Sequence, residues 1–123
     1  MQITDAEAVV MEVLWTRSPL LAEEVIAALA ERNDWAEPTI KTLLNRLLGK
    51  GAIEATKAGR RYLYAPLLRR EDWLAQQSDG LIDRLFGGRI APLVAHFSQR
   101  RKLSKKDMDE LRRLVEGLDD DKR

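Results

Sequence analysis

Five polar side chains at helical spacing, Thr39, Lys41, Thr42, Asn45 and Arg46, carry donors and acceptors suited to base edges and phosphates. Ile40, Leu43, Leu44, Leu47 and Leu48 recur between them at i, i+3, i+4, i+7 and i+8. At about 100° per residue the two sets fall on opposite faces of one helix. An α-helix fits the major groove of B-DNA, and a helix that reads there must be held rigidly from behind. Further along, Lys57, Arg60 and Arg61 flank Gly59, where they would grip phosphates beside the helix without specifying sequence. Taken alone, the helix is better read as an amphipathic surface element with a solvated face, and the basic hairpin as a charged turn or protected edge. Their succession is what points to double-stranded DNA.

The elements around them follow from capping and periodicity. Thr4-Asp5-Ala6-Glu7 has the threonine-to-glutamate spacing of a capping box. It opens a helix over about 5–16, with Ala6, Val9, Val10, Val13 and Leu14 at helical spacing. Ser18-Pro19 interrupts the chain before a second helix at about 21–32, which turns Leu21, Val25, Ile26 and Leu29 inward. Asn33-Asp34 ends this helix, with Trp35 as an anchor beneath the turn. Pro38 suits the start of the third helix, and Gly49-Lys50-Gly51 supplies its C-cap. Residues 53–57 and 61–65 change to strand character, with Tyr62 and Tyr64 packing on the hairpin. Three helices and a hairpin predict a winged helix-turn-helix domain over residues 1–68, in a fold that is mainly α with a small β-hairpin.

Residues 69–123 return to helix, at about 70–86, 90–99 and 105–117, with a break at Gly87-Gly88. Ser104 and Asp107 form a second capping box, and Leu103 with Met108 fits a hydrophobic staple. Asp119 to Arg123 reads as a fraying tail. The apolar stripes Leu81 and Leu85, Leu93 and Phe97, and Met108, Leu111 and Leu114 need a partner, since short helices are marginal alone. A second copy of the chain supplies it, making this a helical dimerisation region. Folding back onto the chain's own N-terminal domain is the alternative.

The 123 residues are 45% hydrophobic and 33% charged, enough for one domain or a small domain with an appendage. No cysteine is present and there is a single histidine, His96. Thiolate metal sites, disulfides and cysteine catalysis are therefore excluded, and no cofactor, metal site or catalytic set is expected. No apolar run approaches the ~20 residues of a membrane span, and no signal peptide is visible, so a cytoplasmic protein without membrane insertion is expected. The net charge of +1 conceals an asymmetry. Residues 1–37 sum to −6, residues 38–66 to +5, and residues 67–123 to +2. The cationic third coincides with the helix and hairpin described above.

With those residues in place, the sequence resembles the penicillinase repressor family, of BlaI/MecI type, over almost its whole length. The resemblance rests on Thr4-Asp5-Ala6-Glu7 with Trp15, on Thr39 through Leu47, and on Gly51-Ala52-Ile53. It continues in Tyr62-Leu63-Tyr64 and in Leu85-Phe86-Gly87-Gly88 leading to Leu93-Val94. It implies a homodimeric repressor on a palindromic operator of β-lactam-resistance genes. Thr39, Lys41, Thr42, Asn45 and Arg46 would then read bases, and Lys57, Arg60 and Arg61 would form the wing contacts. It also implies derepression by cleavage in the dimerisation region, triggered by a membrane sensor-protease system. The pair cut in well-known members is Asn-Phe; here the matching pair is His96-Phe97. The cysteine pairs of a copper-responsive branch are absent, and the family's usual polar cap on the second helix is replaced by Leu21, with Ser18 as the substitute. A winged-helix protein-interaction module without DNA binding is the alternative function, and steep salt dependence distinguishes the two.

Overall fold

Thr4 opens the first helix, α1 (Asp5–Thr16), through a reciprocal cap. The Glu7 backbone N–H donates to Thr4 Oγ1 at 3.1 Å, and the Thr4 N–H donates to Glu7 Oε1 at 2.8 Å. A short strand, β1 (Leu20–Leu21), precedes α2 (Ala22–Asn33) and α3 (Glu37–Lys50). A hairpin, β2 (Ile53–Ala58) and β3 (Arg61–Pro66), follows. Three further helices complete the chain: α4 (Arg70–Phe86), α5 (Ile90–Gln99) and α6 (Lys105–Asp121). The computed structural model describes residues 1–100 and 103–121. Among these, no helix is long and apolar enough to cross a membrane.

The sheet is antiparallel in the order β1-β3-β2. Leu20 pairs with Tyr64 and Leu21 with Leu63, while Ile53 through Ala58 pair with Pro66 back to Arg61. The two-residue strand β1 is absent from the sequence reading, because two leucines offer no alternation to detect. It also changes the start of the second helix. Leu21 is not an inward-facing helical residue but the N-cap, in extended conformation at the end of β1. Ser18 does not cap: the Leu21 N–H donates to Glu24 Oε1 at 2.9 Å instead. Glu24 thus provides the glutamate half of a capping box whose hydroxyl half is missing.

One apolar core holds the helices and the sheet together. Val10, Met11 and Leu14 of α1 meet Val25 and Leu29 of α2 and the Ile40, Leu43, Leu44 and Leu47 stripe of α3. Leu20 and Ile53 close it from the sheet, and Trp35 packs half-buried against it. Helix α3 runs two residues beyond the expected Leu48, to Lys50, and stops at Gly51. There φ is +76°, a conformation that a side chain disfavours, and the Gly51 N–H caps the Leu47 and Leu48 carbonyls. The hairpin turn is Gly59-Arg60, with φ of +67° at Gly59, so the glycine takes the first position as in a II′ turn.

The chain separates into two compact units, Met1–Leu74 and Ala75–Arg123. The first continues past residue 68 because the opening turn of α4 is bound to α1. Trp15 stacks on Trp73 with ring centroids 5.4 Å apart, Trp15 Nε1 donates to the Leu68 carbonyl, and Arg70 pairs with Glu12 at 3.1 Å. In the second unit, α4 and α5 contain no fully buried residue. Leu85 and Leu114 are 66% and 65% exposed, and Leu81, Phe97 and Met108 are also exposed. Leu93 and Leu111 are half-buried. Ser104 and Asp107 cap α6 reciprocally. That helix stays regular to Asp121, past the expected end at 117; Lys122 and Arg123, the rest of the expected tail, lie outside the described residues.

Glu7 has a second role beneath its cap. It is the one buried charged residue among those described, and Lys50 at the end of α3 reaches it at 2.5 Å. Lys50 also donates to the Gln2 carbonyl. Burial pushes the Glu7 carboxyl upward. The hydrogen bond from Lys50, the two Thr4 bonds and the lysine charge outweigh this and hold it below its ordinary value of 4.5. A lowered folded-state value means that this stabilisation is complete above about pH 4.5. It is lost as pH falls through the folded-state value. Replacing Lys50 with Met should cost about 2–3 kcal/mol in urea unfolding, less than for a fully buried pair, because Lys50 is partly solvated. Glu7→Gln should flatten the acid side of the stability profile; an unchanged acid slope would rule out this pair as its source.

Candidate nucleic-acid interface

Helix α3 places its residues as the periodicity requires. Ile40, Leu43, Leu44 and Leu47 are buried, whereas Thr39, Lys41, Thr42, Asn45 and Arg46 are all exposed. Angular position divides that polar set further. Thr42 and Asn45 lie opposite the core stripe, flanked by Lys41 on one side and Arg46 on the other. Thr39, about 100° from Ile40, lies nearest the border. Thr42 Oγ1 donates to the Pro38 carbonyl at 2.9 Å, which orients its hydroxyl while leaving acceptor capacity free. Among the described residues, no side-chain hydrogen bond or ion pair engages Thr39, Asn45 or Arg46. A planar guanidinium and an amide on one open helix face can each make bidentate bonds to guanine or adenine edges.

The hairpin brings its cations to one end but not to one face. Lys57 stands across from Tyr62, and Arg61 across from Ala58. Adjacent residues in a strand project to opposite sides, so Lys57 and Arg61 leave the ribbon in different directions. Arg60 occupies the turn between them. Arg61 points to α2, where its Nη1 meets Glu23 Oε1 at 2.7 Å. Tyr62 is exposed, while Tyr64 packs half-buried on the core.

Lys41 is paired in a similar way, with Glu37 Oε1 at 3.2 Å one turn earlier on α3. Both ion pairs border the same open cleft, of about 320 Å³, between α2, the start of α3, and β3. Its half-buried lining is Leu21, Ala22, Ile26 and Tyr64. The eight candidate residues are therefore of two kinds. Thr39, Thr42, Asn45, Arg46, Lys57 and Arg60 are open, and Lys41 and Arg61 are held by carboxylates. The sequence reading pairs neither Glu23 nor Glu37 with a cation. The Glu37-Lys41 spacing of four residues on a helix signals the second pair. Glu23 and Arg61 are 38 residues apart, and only the fold joins them.

No group of His, Asp or Glu that could hold a metal ion occurs among the described residues. His96 lies on α5 between aromatic rings, 5.3 Å from Phe97 and 6.2 Å from Phe86 by centroid.

The penicillinase repressor family description matches residues 3–117. The chain belongs to the penicillinase repressor family. It is 35% identical over 115 residues to the penicillinase repressor of Bacillus licheniformis, covering 94% of this chain and 90% of that one. It is 30% identical over 114 residues to the methicillin resistance regulatory protein MecI of Mammaliicoccus sciuri, covering 93% of each. Among solved structures it is similar to monomeric Bacillus licheniformis BlaI in complex with the blaP half-operator. That match has 42% identity and a TM-score of 0.53, over 58% of this chain and 88% of the other. Within this family member, the open face of α3 and the basic hairpin are the surfaces with the chemistry of a DNA contact.

Proposed function

We propose that this penicillinase repressor family member is a homodimer that represses transcription by binding a palindromic operator. It is a DNA-binding repressor rather than an enzyme. One observation carries the reading: α3 gives its entire apolar face to the core and keeps Thr39, Thr42, Asn45 and Arg46 open on the other. These residues, with Lys41 at their edge, read the major groove. Lys57, Arg60 and Arg61 contact the backbone and set register without specifying sequence. Replacing Arg46 with Ala should weaken operator binding by about 1–3 kcal/mol and relax selectivity at one base pair, if its contact is bidentate. Unchanged affinity would remove Arg46 from the reading face. Binding should fall steeply over a salt series, because phosphate contacts displace counterions. A flat response would favour a protein-interaction module.

The functional division runs between a reading head, residues 1–68, and a dimerisation region, residues 69–123. Leu81, Leu85, Leu93, Phe97, Met108, Leu111 and Leu114 form the dimer contacts. The exposure of Leu81, Leu85, Phe97, Met108 and Leu114 in the single chain supports this, since apolar area on this scale is ordinarily covered. Sedimentation should find a dimer at micromolar concentration, and Leu114→Asp should shift it to monomer. A monomeric unmodified chain would overturn the assignment.

The operator controls β-lactam-resistance genes, and a membrane sensor-protease system releases it by cutting between His96 and Phe97. The names of the two relatives support the first point. The placement of the pair bears on the second: it lies inside α5, a ten-residue helix without a side-chain N-cap. So short a helix opens readily, and a protease needs an extended substrate. During exposure of cells to a β-lactam, mass spectrometry should detect a fragment ending at His96. A chain that stays intact while its target genes are induced would exclude cleavage.

A further inference from the structure

Glu23 and Glu37 have no part in the proposed reading, yet each occupies a cation that does. Arg61 is bound to Glu23 at 2.7 Å and Lys41 to Glu37 at 3.2 Å, at two edges of one cleft. All four side chains are more than half exposed, so the pairs lie in solvent, where such contacts are worth about 0–1 kcal/mol. A phosphate can displace either carboxylate at that modest cost. Both acids also sit in the first turn of a helix, Glu23 on α2 and Glu37 on α3, where the dipole favours them in the unbound protein.

We propose that Glu23 and Glu37 are built-in competitors for DNA phosphate, holding Arg61 and Lys41 in the free repressor and lowering its affinity for any DNA. The inference rests on the proposed wing contact of Arg61, and it gives Lys41, at the edge of the reading face, a groove-edge phosphate in addition to its place beside the bases. Its consequence is a partial neutralisation of the sequence-independent attraction, while Asn45 and Arg46 stay open for base contacts. Because the competition concerns phosphates, it weakens operator and non-operator DNA together. It also masks part of the salt dependence. When Arg61 moves from Glu23 to a phosphate, DNA releases a counterion while the freed carboxylate attracts one. Without the carboxylate, that release is uncompensated.

The test uses the full chain, with Glu23→Gln and Glu37→Gln made singly and together, alongside Arg61→Ala and the Glu23→Gln/Arg61→Ala double variant. Affinities for a cognate operator fragment and an unrelated duplex are measured over a salt series, and thermal melts check folding. Each glutamine variant should bind both duplexes about two- to fivefold more tightly per reading head. Its log-log salt slope should steepen by up to about one unit per head. In the Arg61→Ala background, Glu23→Gln should lose most of this gain. Weaker binding by Glu23→Gln would instead make Glu23 a positioning residue for Arg61 and overturn the proposal. A gain that persists in full without Arg61 would also overturn it, since Glu23 would then repel DNA directly. So would unchanged affinity in both glutamine variants when Arg61→Ala weakens binding. If Arg61→Ala leaves binding unchanged, the wing contact itself is wrong, which is a separate failure.

Discussion

Everything the N-terminal unit offers to a partner depends on α3 committing one complete face to the core. Burial of a leucine or isoleucine side chain contributes about 1.5–3 kcal/mol. Four such residues on α3 therefore outweigh the surface pairs at Glu37-Lys41 and Glu23-Arg61, worth about 0–1 kcal/mol each. Apolar packing, not electrostatics, holds the helix in place. The Glu7-Lys50 pair adds direction to that grip. It joins the first turn of α1 to the last of α3, so the cap that starts the fold also anchors the end of α3. A rigid helix loses little further freedom when its polar face meets a groove, and this rigidity makes a small contact set useful.

The charge distribution has the same logic at longer range. The −6 of residues 1–37 is not a uniform acidic backing to the +5 of residues 38–66. Glu7 is buried against Lys50, Glu12 pairs with Arg70, Glu23 with Arg61, Glu24 with Arg17, and Glu37 with Lys41. Three of these five acids draw on cations of the basic segment. The positive potential that remains free is concentrated on Arg46, Lys57 and Arg60. A segment sum therefore overstates the charge a phosphate would meet.

Legibility in the sequence followed the range of the interactions involved. The α1 cap, the two faces of α3, the glycine at its end and the hairpin turn are each decided within a few residues, and periodicity and turn chemistry reveal them. The exposed positions of Thr39, Lys41, Thr42, Asn45 and Arg46 follow from the same period. Strand β1 was hidden because its reason for existing lies on β3, more than forty residues away. Leu21 was read as an inward helical residue, and Ser18 as the substitute cap, for the related reason that β1 draws Leu21 into extended backbone. Glu7 reads locally as a helix cap, while its burial against Lys50 depends on α1 meeting α3. The pairing of Arg61 with Glu23 likewise needs the fold. The Glu37-Lys41 pair was available from its spacing but was outweighed by the pattern of polar residues around it.

The two units solve opposite problems. The N-terminal unit buries its apolar residues within one chain, whereas α4, α5 and α6 leave leucines and a phenylalanine exposed. In the proposed dimer, a head with few unoccupied cations would bind DNA weakly alone, and joining two heads would change the arithmetic. The second contact would become intramolecular, at an effective concentration on the order of millimolar, so two weak contacts would multiply. On this view the exposed apolar stripe and the restrained charge of the reading head belong to one design. Strong heads would stay on DNA as separated halves, and loss of the dimer link would then release nothing. Under the proposed mechanism, weak heads would make occupancy of the operator conditional on an intact connection, so a single cut in α5 would suffice to end it without altering either reading surface.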